Sequence, residues 1–216
     1  GSGKSTTIAS MLNYINSKYR KHILTLEDPI EYSIDNIQQT RVRSEIGFGF
    51  ADAMRAFVRE DPDVILVGEL RDLETIGLAI TASEMGYLVF ATLHTNSAAK
   101  TVDRIIDVFP EEQQNQVRTM LSCSLKGIIA QLLIPGKDGK GRVAVNELLF
   151  YDGSLPNIIR EGAVHKIISL IEGGRGKGMQ LMDDAIMSRL KEGLISGEDA
   201  YRWAAEKKKF QHLQNS

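Results

Sequence analysis

The chain opens Gly1-Ser2-Gly3-Lys4-Ser5-Thr6, and an apolar-periodic helix follows at once. That pairing constrains the fold more than any other feature. A glycine-rich turn running into a helix N-terminus aims backbone N–H groups and the positive end of the helix dipole at one spot, which suits a triphosphate. In such a loop Lys4 reaches the β- and γ-phosphates and the Ser5 hydroxyl ligates Mg²⁺. Gly1, Ser2, Gly3, Lys4, Ser5 and Thr6 are therefore the expected ATP-binding residues, with Ser5 the expected metal ligand. Ile8, Met11, Leu12 and Ile15 share the apolar face of the helix. The complete motif carries a further glycine and a strand upstream, so the chain reads as a piece cut inside it. Weak ATP binding by this stretch alone is the expectation. A flexible Gly/Ser terminus would give no reason for the helical pattern that follows.

From residue 4 to about 110, helical and strand patterns alternate. A helix is expected over 4–19, a strand over 22–26 and a β-rich stretch over 36–42. A helix at 50–60 carries Phe50, Met54, Phe57 and Val58 on one side and is stopped by Pro62. Strand 64–67, helix 72–85, strand 88–92 and helix 97–107 complete the series. Short, wholly apolar strands such as 64–67 are covered on both faces, and their alternation with helices implies a parallel sheet. The fold class is α/β, with a mostly parallel central sheet flanked by helices. Beyond 110 a long helix is expected over 111–130. Strands at 131–134 and 142–151 flank a Gly-rich turn and read as a hairpin. Helices follow at 154–161, 164–172, 179–192 and 196–211, the last with Ser196 and Asp199 as an N-cap pair. A boundary near 152 separates a nucleotide domain, 1–151, from a small helical subdomain, 152–216.

The net charge of −2 offers no global field for nucleic acid or anionic lipid. Arg175, Lys177 and Lys207-Lys208-Lys209 read as solvated surface. No apolar run approaches the roughly 20 residues of a membrane span. The single Cys123 cannot form an internal disulfide or a four-thiolate zinc site. It is expected to be a small buried hydrophobe, and a reducing, cytoplasmic compartment fits.

Ligands of parallel sheets gather beyond the carboxyl ends of the strands, and three strands here end in polar clusters. The first ends in Glu27-Asp28-Pro29-Ile30-Glu31, carboxylates suited to metal-bound water or a nucleophilic water. The second ends in Gly68-Glu69-Leu70-Arg71-Asp72. Gly68 occupies the place of the usual metal-ligating Asp, which casts Glu69 as general base or water-positioner and Asp72 as the cap of the next helix. Glu27, Asp28 or water then completes the Mg²⁺ shell. The third strand ends in Leu93-His94-Thr95-Asn96, where His94 suits contact with a γ-phosphate or relay to a neighbouring subunit. Arg41, Arg43, Arg55 and Arg59 are candidates for transition-state charge, with no one of them singled out.

In order, GSGKST at 1–6, TLEDPIEY at 25–32, REDPDVILVGELRD at 59–72 and LVFATLHTNSAAKTVDRIIDVFP at 88–110 resemble the motifs of the secretion ATPases of type IV pili and type II secretion, within the RecA-like motors. The last three match that family's Asp box, Walker B and His box, and Gly68 is the family's habit. The likeness is nearest to the PilT-type retraction ATPases. Segments 94–110 and 178–183 are similar to theirs, and the four zinc-binding cysteines typical of assembly and export members have no counterpart. Segment 154–156 departs, reading Ser-Leu-Pro where those ATPases read Ala-Ile-Arg, as does Gly47-Phe-Gly-Phe50. The resemblance implies a RecA-like core and an ATP- and Mg²⁺-dependent homohexameric motor powering pilus retraction, with Glu69, Glu27, Asp28 and His94 catalytic or assisting. It also implies a PAS-like domain upstream and a polytopic platform protein as partner. The place would be peripheral, at the cytoplasmic face of the inner membrane, with neither zinc nor nucleic acid expected. Alternatives are a pilus-assembly or type II secretion ATPase, a RecA-like nucleic-acid motor, and a ring component that binds nucleotide without hydrolysing it. Leu121-Ser-Cys-Ser-Leu125 does not match the signature of an ABC-type ATPase.

Overall fold

The computed structural model describes residues 1–213; residues 214–216, the end of the expected helical subdomain, lie outside the described residues. The described chain divides into two compact units. One holds Lys4–His94 and Ile105–Ser124; the other holds Gly1–Gly3, Thr95–Arg104 and the chain from Leu125 onward.

The first unit is built on α1 (Lys4–Lys18), β1 (Ile23–Glu27), β2 (Gln38–Arg41), α2 (Phe50–Phe57), β3 (Val64–Val67), α3 (Leu73–Glu84) and β4 (Leu88–Ala91). The strands form one sheet in the order β2-β1-β3-β4, every neighbour parallel. Side chains alternate across a strand, and the two faces receive different partners. Ile23, Val64 and Leu66 meet Leu12, Ile8 and Ile15 of α1. Leu24, Leu26, Ile65 and Val67 meet Ala53, Met54 and Phe57 of α2 and Ala79 and Ala82 of α3. Leu24, Leu26 and Ile65 are fully buried, each stabilising the fold by roughly 1.5–3 kcal/mol. The α/β class is as expected from the wholly apolar run at Val64–Val67.

Helix α2 ends at Phe57, earlier than the expected residue 60. The chain tightens into i→i+3 bonds from Arg59 N–H to Ala56 C=O and from Glu60 N–H to Phe57 C=O, and Asp61 then turns left-handed at φ 48°. Asp72 caps α3 as expected, accepting from the Thr75 N–H at 2.8 Å. Helix α4 (Ala98–Asp107) contributes to both units, and α5 (Glu111–Ser124) closes the first.

The expected helix over 111–130 stops at Ser124. Residues 127–130 belong instead to β5 (Gly127–Pro135), which pairs antiparallel along its length with β6 (Arg142–Phe150). Gly127 shows why: a Cβ there would lie 2.9 Å from the Leu149 carbonyl oxygen, so the close strand pairing requires glycine. Cys123 is exposed rather than buried. The inward face of α5 carries Val117 and Leu121, and a residue two positions on points about 200° away.

The hairpin supplies Ala130, Ile134 and Val145 to the core of the second unit. They pack with residues of α8 (Met182–Lys191), α9 (Gly197–Trp203) and α10 (Lys207–Phe210), including Ile186, Ala200 and Phe210. The smaller helices α6 (Leu155–Arg160) and α7 (Ile167–Gly173) lie between hairpin and α8 in sequence. Residue 152 falls inside this unit. The expected helix over 196–211 is capped by Ser196 as foreseen. It breaks at Ala204, which is extended, because the Asp183 carboxylate accepts the Ala205 and Glu206 N–H groups, each at 2.8 Å. Residues 179–181 are not helical; Gln180 bridges to Leu148 of β6.

Candidate nucleotide site

The front of the phosphate loop, Gly1–Gly3, is anchored by the hairpin. Gln131 of β5, 8% exposed, donates through Nε2 to the Ser2 carbonyl at 2.7 Å. Arg142 of β6 donates to the Gly1 carbonyl at 3.3 Å. Gly3 adopts φ +79°, and a Cβ on it would stand 2.8 Å from Gln131 Nε2. Left-handed backbone and close approach both require glycine there.

Lys4 and Ser5 open α1. Its first turn contains no acidic residue, so nothing on the helix neutralises the positive end of its dipole. The helix packs on the sheet and its far end leads into the start of β1, so its N-terminus lies toward the carboxyl ends of the strands. Thr6 Oγ1 lies 2.8 Å from the hydroxyl of Tyr32, in the segment leaving β1. Lys4 is half-buried and Ser5 exposed.

Of the expected residues, Glu69 and His94 come together at the carboxyl edge. His94 Nε2 stands 2.8 Å from Glu69 Oε1, while the Arg71 guanidinium donates to Oε2 at 2.6 Å. The Glu69 side chain is 19% exposed against 73% for His94 and 61% for Arg71. The carboxylate is thus sheltered and its partners face solvent. Below it the backbone is locked. Leu70 N–H donates to Thr92 C=O at 2.9 Å, Thr92 Oγ1 donates to Gly68 C=O, and Gly68 N–H donates to Leu26 C=O at 2.7 Å. A Cβ on Gly68 would lie 2.8 Å from the Leu26 oxygen and 3.2 Å from Glu27 Cα. No Asp can stand at the usual metal-ligating place because β1 is too near.

Glu27 ends β1 on the same sheet face as Ile23 and Thr25, the face covered by α1. Its Oε1 accepts from Thr25 Oγ1 at 2.6 Å and from Gln39 Nε2 at 2.9 Å. It therefore belongs to a separate hydrogen-bonded group from Glu69. Asp28 is exposed and, among the described residues, makes no side-chain hydrogen bond or ion pair. Arg55 is taken up by Asp52 and Glu74. Arg41, Arg43 and Arg59 are exposed at the surface. Sequence reading missed Arg71, Gln39 and Gln131 as parts of these groups. Arg71 had one usable signal, its place two residues after Glu69 in the same strand-end segment.

The residues fit a magnesium-bound triphosphate. The loop has the glycine conformation that exposes backbone donors, the helix end is unneutralised, and a sheltered carboxylate stands on the same edge. Among the described residues no cluster of three His, Cys, Asp or Glu side chains could hold a metal alone. Two open concavities of about 620 and 570 Å³ are present, the first reaching the phosphate loop only at Thr6. The first runs along α1 from Thr6 to Ser17, and the second sits where β3 and β4 begin, at the opposite edge of the sheet. Neither gathers phosphate-binding groups.

No helix among the described residues is long and apolar enough to cross a membrane. A twitching motility protein of Neisseria gonorrhoeae is 52% identical over 207 residues, which cover 94% of this chain and 55% of that protein. The type IV pilus retractation ATPase PilT of Pseudomonas aeruginosa is 51% identical, with 93% of this chain and 59% of that protein covered. A crystal structure of the pilus retraction motor PilT with bound ADP matches with a TM-score of 0.88 at 46% identity, over 99% of this chain and 61% of the other. The chain thus spans somewhat more than half the length of these relatives. A family model described as type II/IV secretion system protein matches residues 1–202. That match takes in the phosphate loop, all four parallel strands and the carboxyl-edge cluster, and the chain belongs to the type II/IV secretion system protein family.

Proposed function

We propose that the protein is an ATP-hydrolysing motor that powers pilus retraction. The observation that carries the chemistry is Glu69, a sheltered carboxylate at the strand edge to which the N-terminus of α1 points. Relatives about half identical that are named for twitching motility and pilus retraction support the physiological part.

In this reading residues 1–6 cradle the phosphates, with Lys4 on the β- and γ-phosphates. Ser5 would hold Mg²⁺ together with phosphate oxygens, with Glu27 or Asp28 reaching it directly or through water. Bound there, Mg²⁺ neutralises charge that develops on the phosphates. Glu69 orients the attacking water and receives its proton. While Arg71 and His94 stay in place, each occupies one oxygen of the Glu69 carboxylate. Those partners are mostly exposed, so each contact is worth only about 0–1 kcal/mol and is readily exchanged. A γ-phosphate drawing His94 away leaves Glu69 free to act on water, which couples base activity to a loaded site. In this reading the nucleotide domain is 1–151, and the helices that follow residue 152 are an appendage to it. The motor works as a homohexamer at the cytoplasmic face of the inner membrane, against a platform protein of the pilus machine.

Phosphate release by the full-length protein tests the enzyme reading. Wild type hydrolyses ATP, and Glu69→Gln loses on the order of 100-fold or more in rate while still binding ADP. A wild-type protein that binds ATP and releases no phosphate contradicts it.

A further inference from the structure

We infer that Gln131 is a positioning residue of the phosphate loop: it sets the direction of the Gly3 N–H by holding the carbonyl on the other side of the same peptide. In a planar trans peptide the C=O and N–H bonds point in opposite directions. Gln131 Nε2 fixes the Ser2 carbonyl toward the hairpin at 2.7 Å, so the Gly3 N–H of that peptide points away from the hairpin. Among the described residues that N–H has no backbone partner. Arg142 acts likewise, more weakly, on the next peptide back: its bond to the Gly1 carbonyl, at 3.3 Å, turns the Ser2 N–H outward. Oriented successive N–H groups form the concavity that binds anions.

Three features make Gln131 the stronger anchor. It is buried, so water does not compete for the Ser2 carbonyl. It sits in the middle of the long β5–β6 pairing, opposite Asn146, where both backbones are held. Its Nε2 occupies the space a Gly3 side chain would need, so loop and anchor are fitted to one another. The ligand class is a nucleoside di- or triphosphate, recognised at its phosphates rather than at its base.

This inference rests on the nucleotide reading above. Its test is the affinity of the full-length protein for ADP and for AMP, measured by displacement of a fluorescent nucleotide, with melting temperature recorded alongside. Gln131→Met keeps the length and removes the donor, and Gln131→Glu puts an acceptor against the Ser2 carbonyl. The expected result is ADP affinity reduced roughly 5- to 10-fold by Gln131→Met, the size of one net hydrogen bond, and further by Gln131→Glu. AMP affinity changes less than about 2-fold, since the single phosphate engages less of the loop. A purely structural role would lower the melting temperature and weaken both nucleotides equally. Arg142→Met, at an exposed position, gives a smaller loss of the same selectivity and carries the test should the Gln131 variants not fold. An ADP-to-AMP affinity ratio equal to wild type in every folded variant overturns the inference. Failure of wild type to bind ADP at all overturns the nucleotide reading instead.

Discussion

Glu69 and Glu147 are both sheltered carboxylates holding two partners, yet they face different chemistry. Glu147, in β6, is 8% exposed and accepts from two backbone N–H groups, Ala98 at 2.7 Å and Met182 at 3.3 Å. It satisfies the first turns of α4 and α8, where donors lack intrahelical partners. Its partners cannot leave without melting a helix end. Glu69 is 19% exposed, and its partners are the long, solvated side chains of Arg71 and His94. They can swing away at little cost. A buried acid bonded to backbone is a structural rivet, whereas one bonded to mobile side chains at a strand edge can change partners, as a general base must.

The contrast is sharpest in what each substitution should spare. Glu69→Gln, with the largest expected effect, lowers the hydrolysis rate on the order of 100-fold or more and moves the melting temperature little. Kinetics beside a thermal melt check both halves, and a large thermal shift would erase the distinction. Glu147→Ala should do the reverse. Leaving two buried donors unpaired costs about 2–4 kcal/mol, a drop of roughly 5–10 °C for a chain of this size, while activity persists well below the melt. His94→Ala comes next, with a loss near tenfold in rate, the worth of one hydrogen bond to a charged group, and normal ADP affinity. Unchanged turnover would remove His94 from the chemistry.

The smallest effect concerns pH. Lys177 first, then the N–H and hydroxyl of Ser154, holds the Asp152 carboxyl well below its ordinary value of 3.8. A depressed folded-state value means that the carboxylate's contribution is complete above the ordinary value and fades as pH falls below it. Melting curves for Asp152→Asn should therefore fall less steeply than wild type between about pH 4 and 2. The two should nearly coincide in slope at neutral pH, because the carboxyl is ionised in both the folded and the unfolded chain there. Parallel acid limbs would show that Asp152 contributes nothing to acid sensitivity.

Much of the carboxyl edge was legible before any coordinates, because short-range rules govern it. The apolar run Val64–Val67, bounded by Pro62 and Gly68, reads as a covered strand, Gly-Lys-Ser before a helical stripe opens a helix, and Asp72 three residues before Thr75 reads as a cap. Contacts made at long range were not legible. Residues 127–130 read as helix because a short apolar run has no period that separates buried strand from buried helix. What decides is Phe150 and Leu149 across the ladder. Gln131 reads correctly as strand, but its bond to Ser2 spans 129 positions, beyond any local pattern. Gly68 was recognised as a departure at the metal-ligating place, but the reason, the Leu26 carbonyl pressed against it, belongs to the neighbouring strand.

The most direct test is a structure of the full-length protein with Mg²⁺ and a non-hydrolysable ATP analogue. The γ-phosphate should sit at the first turn of α1, on Lys4 and Ser5, with Glu69 within reach of it through one water and His94 turned from Glu69 toward the phosphate. A nucleotide seated away from that helix end, or a Glu69 carboxylate still clasped by both His94 and Arg71 beside a filled site, would contradict the account.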